Sequence, residues 1–404
     1  MKRVFSFLSV FFLCTALFAQ TDSLRLGYVV KGLVTDAETG KPLESVHVSV
    51  PGRHHATVTN ADGEFVIKSD REINLLECSY LGYHKRRVSA APYVTVKLRR
   101  EALPVPQATI VSGDPLEILN TALDRVEECY CPRPELLECF YRETVQKRSR
   151  YTYVAEAVAR LYKDRNNGNI LGDAAALEKS RLLVSQKKRD TLSVKTQGGP
   201  NLAITCDALK NKDLIFSEED MLHYRLKMES PAFIGDRLQI VIRMIPDGYS
   251  EWAMYESVVY IDAEWLSFTR IEASLDMRDR PKAIRAILVS KPFSLRFFPK
   301  EASIVLNYRP IGDGKVRLEY FRSTIRFDCD WRKRLFKTHY TAINELVVTD
   351  VYPDAVSIPR RERFRTKDYM SDKAMEFQDP EFWADYNIIE PSESLEHAIG
   401  RLRK

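Results

Sequence analysis

The residues suited to chemistry in this 404-residue chain are few and scattered. His54 and His55 are adjacent, and a histidine pair can ligate a metal. Successive side chains of an extended segment point to opposite faces, however, so this pair does not converge on one ion. Asp62, in Asn60-Ala61-Asp62-Gly63, offers oxygens of the calcium-binding kind, but one such tetrapeptide alone reads as a turn. Glu138, Arg142, Glu143 and Glu156 form a carboxylate-rich block that acid-base catalysis could use; placed on a helix, they read as a solvated face with i,i+4 pairs. Ser250, in Gly248-Tyr249-Ser250-Glu251-Trp252, lacks the closing glycine of a nucleophile elbow. None of the seven histidines (His47, His54, His55, His84, His223, His339, His397) is followed by Glu at the His-x-x-Glu spacing of a zinc peptidase. HExxH, P-loop, GxGxxG and paired CxxC patterns are absent as well. The sequence therefore points to no catalytic, cofactor-binding or metal-ligating residue and no cofactor. Residues assembled from distant strands leave no local pattern, so an enzyme is kept as the alternative.

The compartment is set by the opening residues, MKRVFSFLSVFFLCTALFAQ. Lys2 and Arg3 are a basic start, Val4 to Leu17 an apolar run and Ala19 a small residue, which is the layout of a cleavable Sec-type leader over residues 1–19. Acylation at Cys14 competes with that reading, but Leu13 stands where a small residue is wanted. Beyond the leader no apolar stretch approaches the roughly 18 to 20 residues of a spanning helix, so no transmembrane segment is expected in the mature chain. The length predicts two to three domains, and 45% hydrophobic residues suffice for real cores. Basic and acidic residues, 61 and 56, are interspersed, and the net +5 is too thin to argue for nucleic acid. It is compatible with a mild preference for acidic membrane surfaces. Of the cysteines after the leader (Cys78, Cys129, Cys131, Cys139, Cys206, Cys329), Cys131 and Cys139 flank Pro132 and Pro134. They are either bridged across that turn or, as the reading prefers, buried free thiols.

From Tyr28 to Arg99 short runs alternate apolar and polar residues, as in Val46, Val48, Val50 and in Val94, Val96, Leu98. Turn signals at Gly40 to Pro42, Pro51-Gly52 and Asn60 to Gly63 separate them. Such spacing predicts a sandwich of about seven strands. The landmarks Gly32, Gly40 to Pro42, Val46 and Val48, Asp62-Gly63 with Phe65, and Tyr80 with Gly82-Tyr83 resemble the carboxypeptidase D regulatory-like domain. That module also precedes the plug of many TonB-dependent outer-membrane receptors of Bacteroidota. The resemblance implies a transthyretin-like sandwich serving as an accessory or interaction module, without the enzymatic activity its name mentions. The rest of the chain is too short for a receptor barrel of about 22 strands.

After a linker comes a helix signal, with Asp114 as N-cap, Pro115 at the first helical position and Glu117 completing a capping box. Leu116, Leu119, Leu123, Val126 and Tyr130 share its face. Residues 145–230 read as mixed, with a Lys- and Asp-rich mobile insertion at LEKSRLLVSQKKRD, a turn at Gly198 to Pro200 and a helix around Ser217 to Leu226. From Asp236 onward the pattern is strongly β, with a hairpin turn at Gly312-Asp313-Gly314. An antiparallel meander of five to eight strands curled over a helix is expected. SVVYIDAEWLSFTRIEASLD resembles the half-barrel of periplasmic lipoprotein carriers, which implies a concave apolar face for a lipid or peptide; the alternative is a packed core against the connector. Phe382, Trp383 and Tyr386 should pin the tail, and Ser392 should cap a last helix carrying Leu395, Ile399 and Leu402.

The chain thus reads as mainly β: a signal peptide at 1–19, a seven-stranded sandwich at 20–100, a linker at 101–112, a helical connector at 113–145 and a β-rich C-terminal domain at 146–404. The expected function is a non-catalytic binding or scaffold protein of the periplasm or outer membrane, partnered by an outer-membrane receptor or envelope complex. It would hold a lipid or peptide and bind no nucleic acid. The alternative is an enzyme or enzyme accessory acting on peptides or glycans.

Overall fold

The computed structural model describes residues 27–101, 113–187, 194–331, 336–374, 383 and 386–402. The leader, Cys14, nearly all of the linker and Phe382 lie outside the described residues. Seven strands open the chain: β1 (Tyr28–Asp36), β2 (His47–Ser49), β3 (Ala56–Val58), β4 (Glu64–Ser69), β5 (Leu75–Ser79), β6 (Arg86–Ser89) and β7 (Tyr93–Leu98). They form two sheets, β4-β1-β7 and β3-β2-β5-β6, as the sequence period requires. The inward members of each run, among them Val34, Val48, Phe65, Ile67, Leu76 and Val96, meet in one core. Gly32 pairs with Phe65 across β1 and β4. A Cβ there would sit 2.5 Å from the Val94 carbonyl and 2.6 Å from the Phe65 ring. The Asn60 turn is built from backbone amides, since Asn60 Oδ1 accepts from Asp62 N and Glu64 N, both at 2.9 Å. Asp62 contributes its backbone amide to this turn.

The connector is two short helices, α1 (Pro115–Asp124) and α2 (Val126–Cys129), with Asp114 Oδ1 accepting from Leu116 N at 2.9 Å. Leu119, Val126 and Tyr130 are buried as expected, but Leu116, in the first turn, faces solvent. The helical connector also ends earlier than 145. Cys131 takes a positive φ of 48°, and Glu135–Lys147 is a strand, β8. Phe140, Arg142 and Thr144 alternate with Cys139, Tyr141, Glu143 and Val145, and both sets are buried, which erases the period-two signal.

The remaining strands are β9 (Arg150–Lys163), β10 (Ala174–Val184), β11 (Tyr224–Met228), β12 (Ala232–Ile234), β13 (Arg237–Pro246), β14 (Tyr255–Asp262), β15 (Phe268–Leu275), β16 (Leu295–Gly312), β17 (Lys315–Trp331), β18 (Thr338–Pro353) and β19 (Arg363–Phe364). With β8 they make a 12-stranded sheet in the order β11-β13-β14-β15-β16-β17-β18-β8-β9-β10-β19, with β12 also on β13. The sheet is therefore larger than the expected meander and starts a hundred residues before Asp236. β10 occupies much of the segment read as a mobile insertion, and the helix expected at Ser217 to Leu226 shrinks to α4 (Glu218–Met221) before β11. The Gly312 to Gly314 turn joins β16 and β17. The other helices are α3 (Leu202–Thr205), α5 (Arg280–Ile287), α6 (Met370–Lys373) and α7 (Glu393–Leu402). One face of the sheet packs a continuous core against α1 to α3, and the connector touches both edge strand β11 and central strand β17. The sheet curls around it.

Replacing Gly32 with alanine forces Phe65 or β7 to move. Thermal melting should show the sandwich destabilised by about 1–3 kcal/mol; an unchanged transition would contradict the packing described.

Candidate functional site

Strand alternation places charges on both faces of β8 and β9. On the core side, Lys163 ends β9 with its ammonium fully buried, 2.7 Å from Asp207 Oδ2 and 2.8 Å from Asp173 Oδ2. Lys210 pairs with the other oxygen of Asp173 and donates to the Asp164 carbonyl at 2.9 Å. Tyr130 and Tyr308 both donate to Asp207, the latter at 3.0 Å. Burial opposes the charge of Lys163, but Asp173 and Asp207 outweigh it and its pKa is raised. Two cations and two carboxylates thus cancel in a closed cluster, with every side chain engaged and none exposed to a substrate. Its chemistry is attachment: it joins the connector, the segment after α3, β9, β16 and the entrance to β10.

On the opposite face Glu156 accepts from Arg142 Nε at 2.7 Å and from Arg181. Burial would raise this carboxyl, yet the two guanidiniums hold it below its ordinary value. Arg142 also donates to the Ile389 carbonyl at 2.6 Å, and Arg181 lies over the Trp383 ring. Trp383 meets Phe140 edge-on, and Ile388 and Ile389 complete that cluster. Leu395 and Ile399 of α7 pack on Val154 and Leu183. The tail packs on this face, and Asp62 accepts from Glu393 N at 2.7 Å at the start of α7. The block Glu138, Arg142, Glu143, Glu156 is therefore not a solvated helix face. It lies on two strands, with Arg142 and Glu156 together on one face and Glu143 on the other.

Other residues singled out by sequence remain apart. His55 lies 3.4 Å from Asp70 and 3.6 Å from Asp350, while His54 opens toward Arg309 and Arg317, and burial together with Arg317 lowers its pKa. No cluster of three metal-ligating side chains occurs among the described residues. Ser250 Oγ accepts from Trp252 N at 3.2 Å, a turn contact. Cys131 and Cys139 are free and buried, as are Cys78, Cys129 and Cys329, and Cys206 is free and half-buried.

Between sandwich and sheet lies a cavity of about 240 Å³ lined by many ionisable groups. These are committed to ion pairs: His47 to Glu319 at 2.7 Å, Lys85 to Asp236 at 2.9 Å, and Arg270 to Glu272 at 2.7 Å. A second cavity, of about 470 Å³, opens inside the curl between the end of α5, residues 194–197 and strands β16 to β18. Leu288, Phe297, Ile304, Ile325 and Phe327 line it, and its one charged lining residue, Lys195, is paired with Asp372 at 3.0 Å. Behind this wall Glu143 is fully buried with no cationic partner among the described residues; Tyr141 donates to it at 3.2 Å and Thr196 N at 3.4 Å. Burial drives the Glu143 carboxyl up to about 7 against the pull of these hydrogen bonds.

Residues 30–110 match the CarboxypepD_reg-like domain family, and this part of the chain is such a domain. Over 110 residues the chain is 26% identical to the TonB-dependent receptor SusC of Bacteroides thetaiotaomicron, a stretch amounting to 27% of this chain and 11% of the receptor. The match thus spans about a tenth of that protein. Among solved structures, a DUF1329 family protein from Desulfovibrio piger is 10% identical and covers 60% of this chain and 95% of its own, at a TM-score of 0.26. Lipovitellin is 6% identical and covers 61% and 28%, at 0.25. A protein of unknown function from Bacteroides fragilis is 11% identical and covers 80% and 98%, at 0.15. Scores this low carry no argument about fold or function.

Removing one carboxylate strands a buried lysine. Asp207→Asn should cost about 3–5 kcal/mol in urea unfolding, against near-neutrality if the cluster were dispensable. Glu143 holds a proton in the folded chain that the unfolded chain releases above its ordinary 4.5. Stability from this residue is therefore present below that value and lost as pH rises through about 7. Glu143→Gln should recover about 3 kcal/mol of the stability lost between acid and neutral pH, as read by melting at a series of pH values; a parallel pH profile would refute the assignment.

Proposed function

We propose that this is a non-catalytic cell-envelope protein whose curled sheet holds an aliphatic chain and whose regulatory-like sandwich, fixed to that sheet, contacts an outer-membrane receptor or another envelope complex. The observation that carries the reading is the 470 Å³ cavity, whose size falls in the usual range of small-molecule sites, whose wall mixes Leu288, Phe297, Ile304, Ile325 and Phe327 with uncharged polar groups such as Thr196, Ser303 and Ser323, and whose one charged residue is a neutralised lysine. The likeness of the sandwich to part of a TonB-dependent receptor supports the envelope location, and residues 1–19 would be its export leader. No helix among the described residues is long and apolar enough to cross a membrane. The enzyme alternative would need ionisable groups free to act in a cavity, and those lining the interdomain cavity are spent on one another.

Ala286 sits at the cavity mouth on an exposed side of α5. The exported chain should bind the fluorescent fatty acid cis-parinaric acid, and Ala286→Trp should weaken that binding about tenfold while leaving the melting temperature unchanged. Absence of fluorescence uptake, or equal affinity in the variant, would reject the cavity as the site.

A further inference from the structure

A strip of exposed aromatic and cationic side chains crosses α5 beside the cavity mouth. Tyr249 and Trp252 stand in the β13–β14 loop with 76% and 66% of their surface exposed. Lys282 lies 4.4 Å from the Tyr249 ring centre and donates to the Ser250 carbonyl at 2.6 Å, while Arg278 donates to the Pro246 carbonyl at 3.0 Å. The start of α5 is thereby tied to that loop. Arg280 and Lys337 reach the same Phe298 ring, at 5.6 and 4.3 Å, which brings exposed Phe336 and the start of β18 alongside. At the other end of α5, Val289 is exposed and lines the cavity, and Phe293 is 90% exposed. Leu295 pairs with Trp331 and Cys329 with Thr338, so Phe293 and Phe336 share one end of the sheet.

The α5 segment of this rim is strongly cationic, while the β13–β14 loop adds two carboxylates, Asp247, paired with Arg225, and Glu251. Residues 276–300 carry seven Lys and Arg against two Asp, a surplus of five that equals the net charge of the entire chain. Both aspartates are spent, Asp276 on Arg278 and Asp279 on Lys282. Arg280, Arg285, Lys291, Arg296 and Lys337 form no ion pair among the described residues. Single exposed apolar residues are ordinary on a protein, but large ones gathered on a rim of uncompensated cations mark a contact surface. Aromatic rings favour the boundary between headgroups and acyl chains, and Lys and Arg are drawn to anionic lipid. A polyanion would satisfy the cations and leave Val289 and the phenylalanines in water; an anionic bilayer satisfies both sets.

We infer that this rim docks on an anionic lipid surface, with Tyr249, Trp252, Val289, Phe293 and Phe336 entering the headgroup region and the cations facing lipid phosphates. The inference rests on the cavity reading for its purpose, since docking would turn the cavity mouth toward the source of an acyl chain. Its test does not. The exported chain is floated with vesicles of phosphatidylcholine alone and of phosphatidylcholine mixed with phosphatidylglycerol. Recovery should require the anionic lipid and fall with salt, and the combined Arg280→Glu, Arg285→Glu, Lys291→Glu variant should bind about tenfold more weakly or worse. Brominated acyl chains should quench Trp252, and Trp252→Phe should lose that quenching. Equal flotation with neutral vesicles, or full binding by the charge-reversed variant, would overturn the inference. A wild-type chain that floats with anionic vesicles yet takes up no cis-parinaric acid would remove the cavity reading and leave the docking surface standing. Because the substituted residues are exposed, unchanged melting of each variant confirms that folding is not what was altered.

Discussion

Burying two ammoniums and two carboxylates costs several kcal/mol per ion unless each is met by opposite charge and hydrogen bonds, and the organisation of the curled sheet follows from how that cost is met. Lys163, Asp173, Asp207 and Lys210 satisfy one another, and the hydroxyls of Tyr130 and Tyr308 occupy the remaining carboxylate positions. The requirement is geometric: only one seating of the connector and the segment after α3 against β9 and β16 brings these groups together. An all-apolar core would tolerate slippage of the connector and the segment after α3 along the sheet.

The outer face obeys a related rule. Arg142 and Arg181 share Glu156, and the surplus guanidinium charge is met by the Ile389 carbonyl and the Trp383 ring. The sandwich lies against the same sheet through His47 and Glu319, Arg322 and Glu44, and Thr57 and the Ile388 carbonyl, and the tail is held between them. The regulatory-like domain is therefore joined to the curled sheet and its tail by a set of ion pairs and hydrogen bonds.

Sequence made the sandwich legible because its strands are half-buried and alternate, and because Gly32, Gly63 and Phe65 are demanded by close backbone packing. The tail was readable from Trp383, Tyr386 and the cap at Ser392. Strands β8 to β10 were not, since they are covered on both faces and carry buried charges, so that Arg142, Glu156 and Lys163 imitate the polar face of a helix. Nor could the ion cluster be read: Lys163 and Asp207 are 44 residues apart, and Tyr308 lies 101 from Asp207. The only local sign is that Lys163 closes the alternating apolar face of Tyr153, Ala155, Ala157, Ala159 and Leu161 in β9.

A cavity lined by Leu288, Phe297, Ile304, Ile325 and Phe327 makes sense if something apolar fills it. Native mass spectrometry of the protein purified from its own envelope tests this most directly. The account predicts a retained mass of acyl-chain size that survives dialysis. Bare protein mass from the same preparation, with no retained component under gentle ionisation, would contradict it.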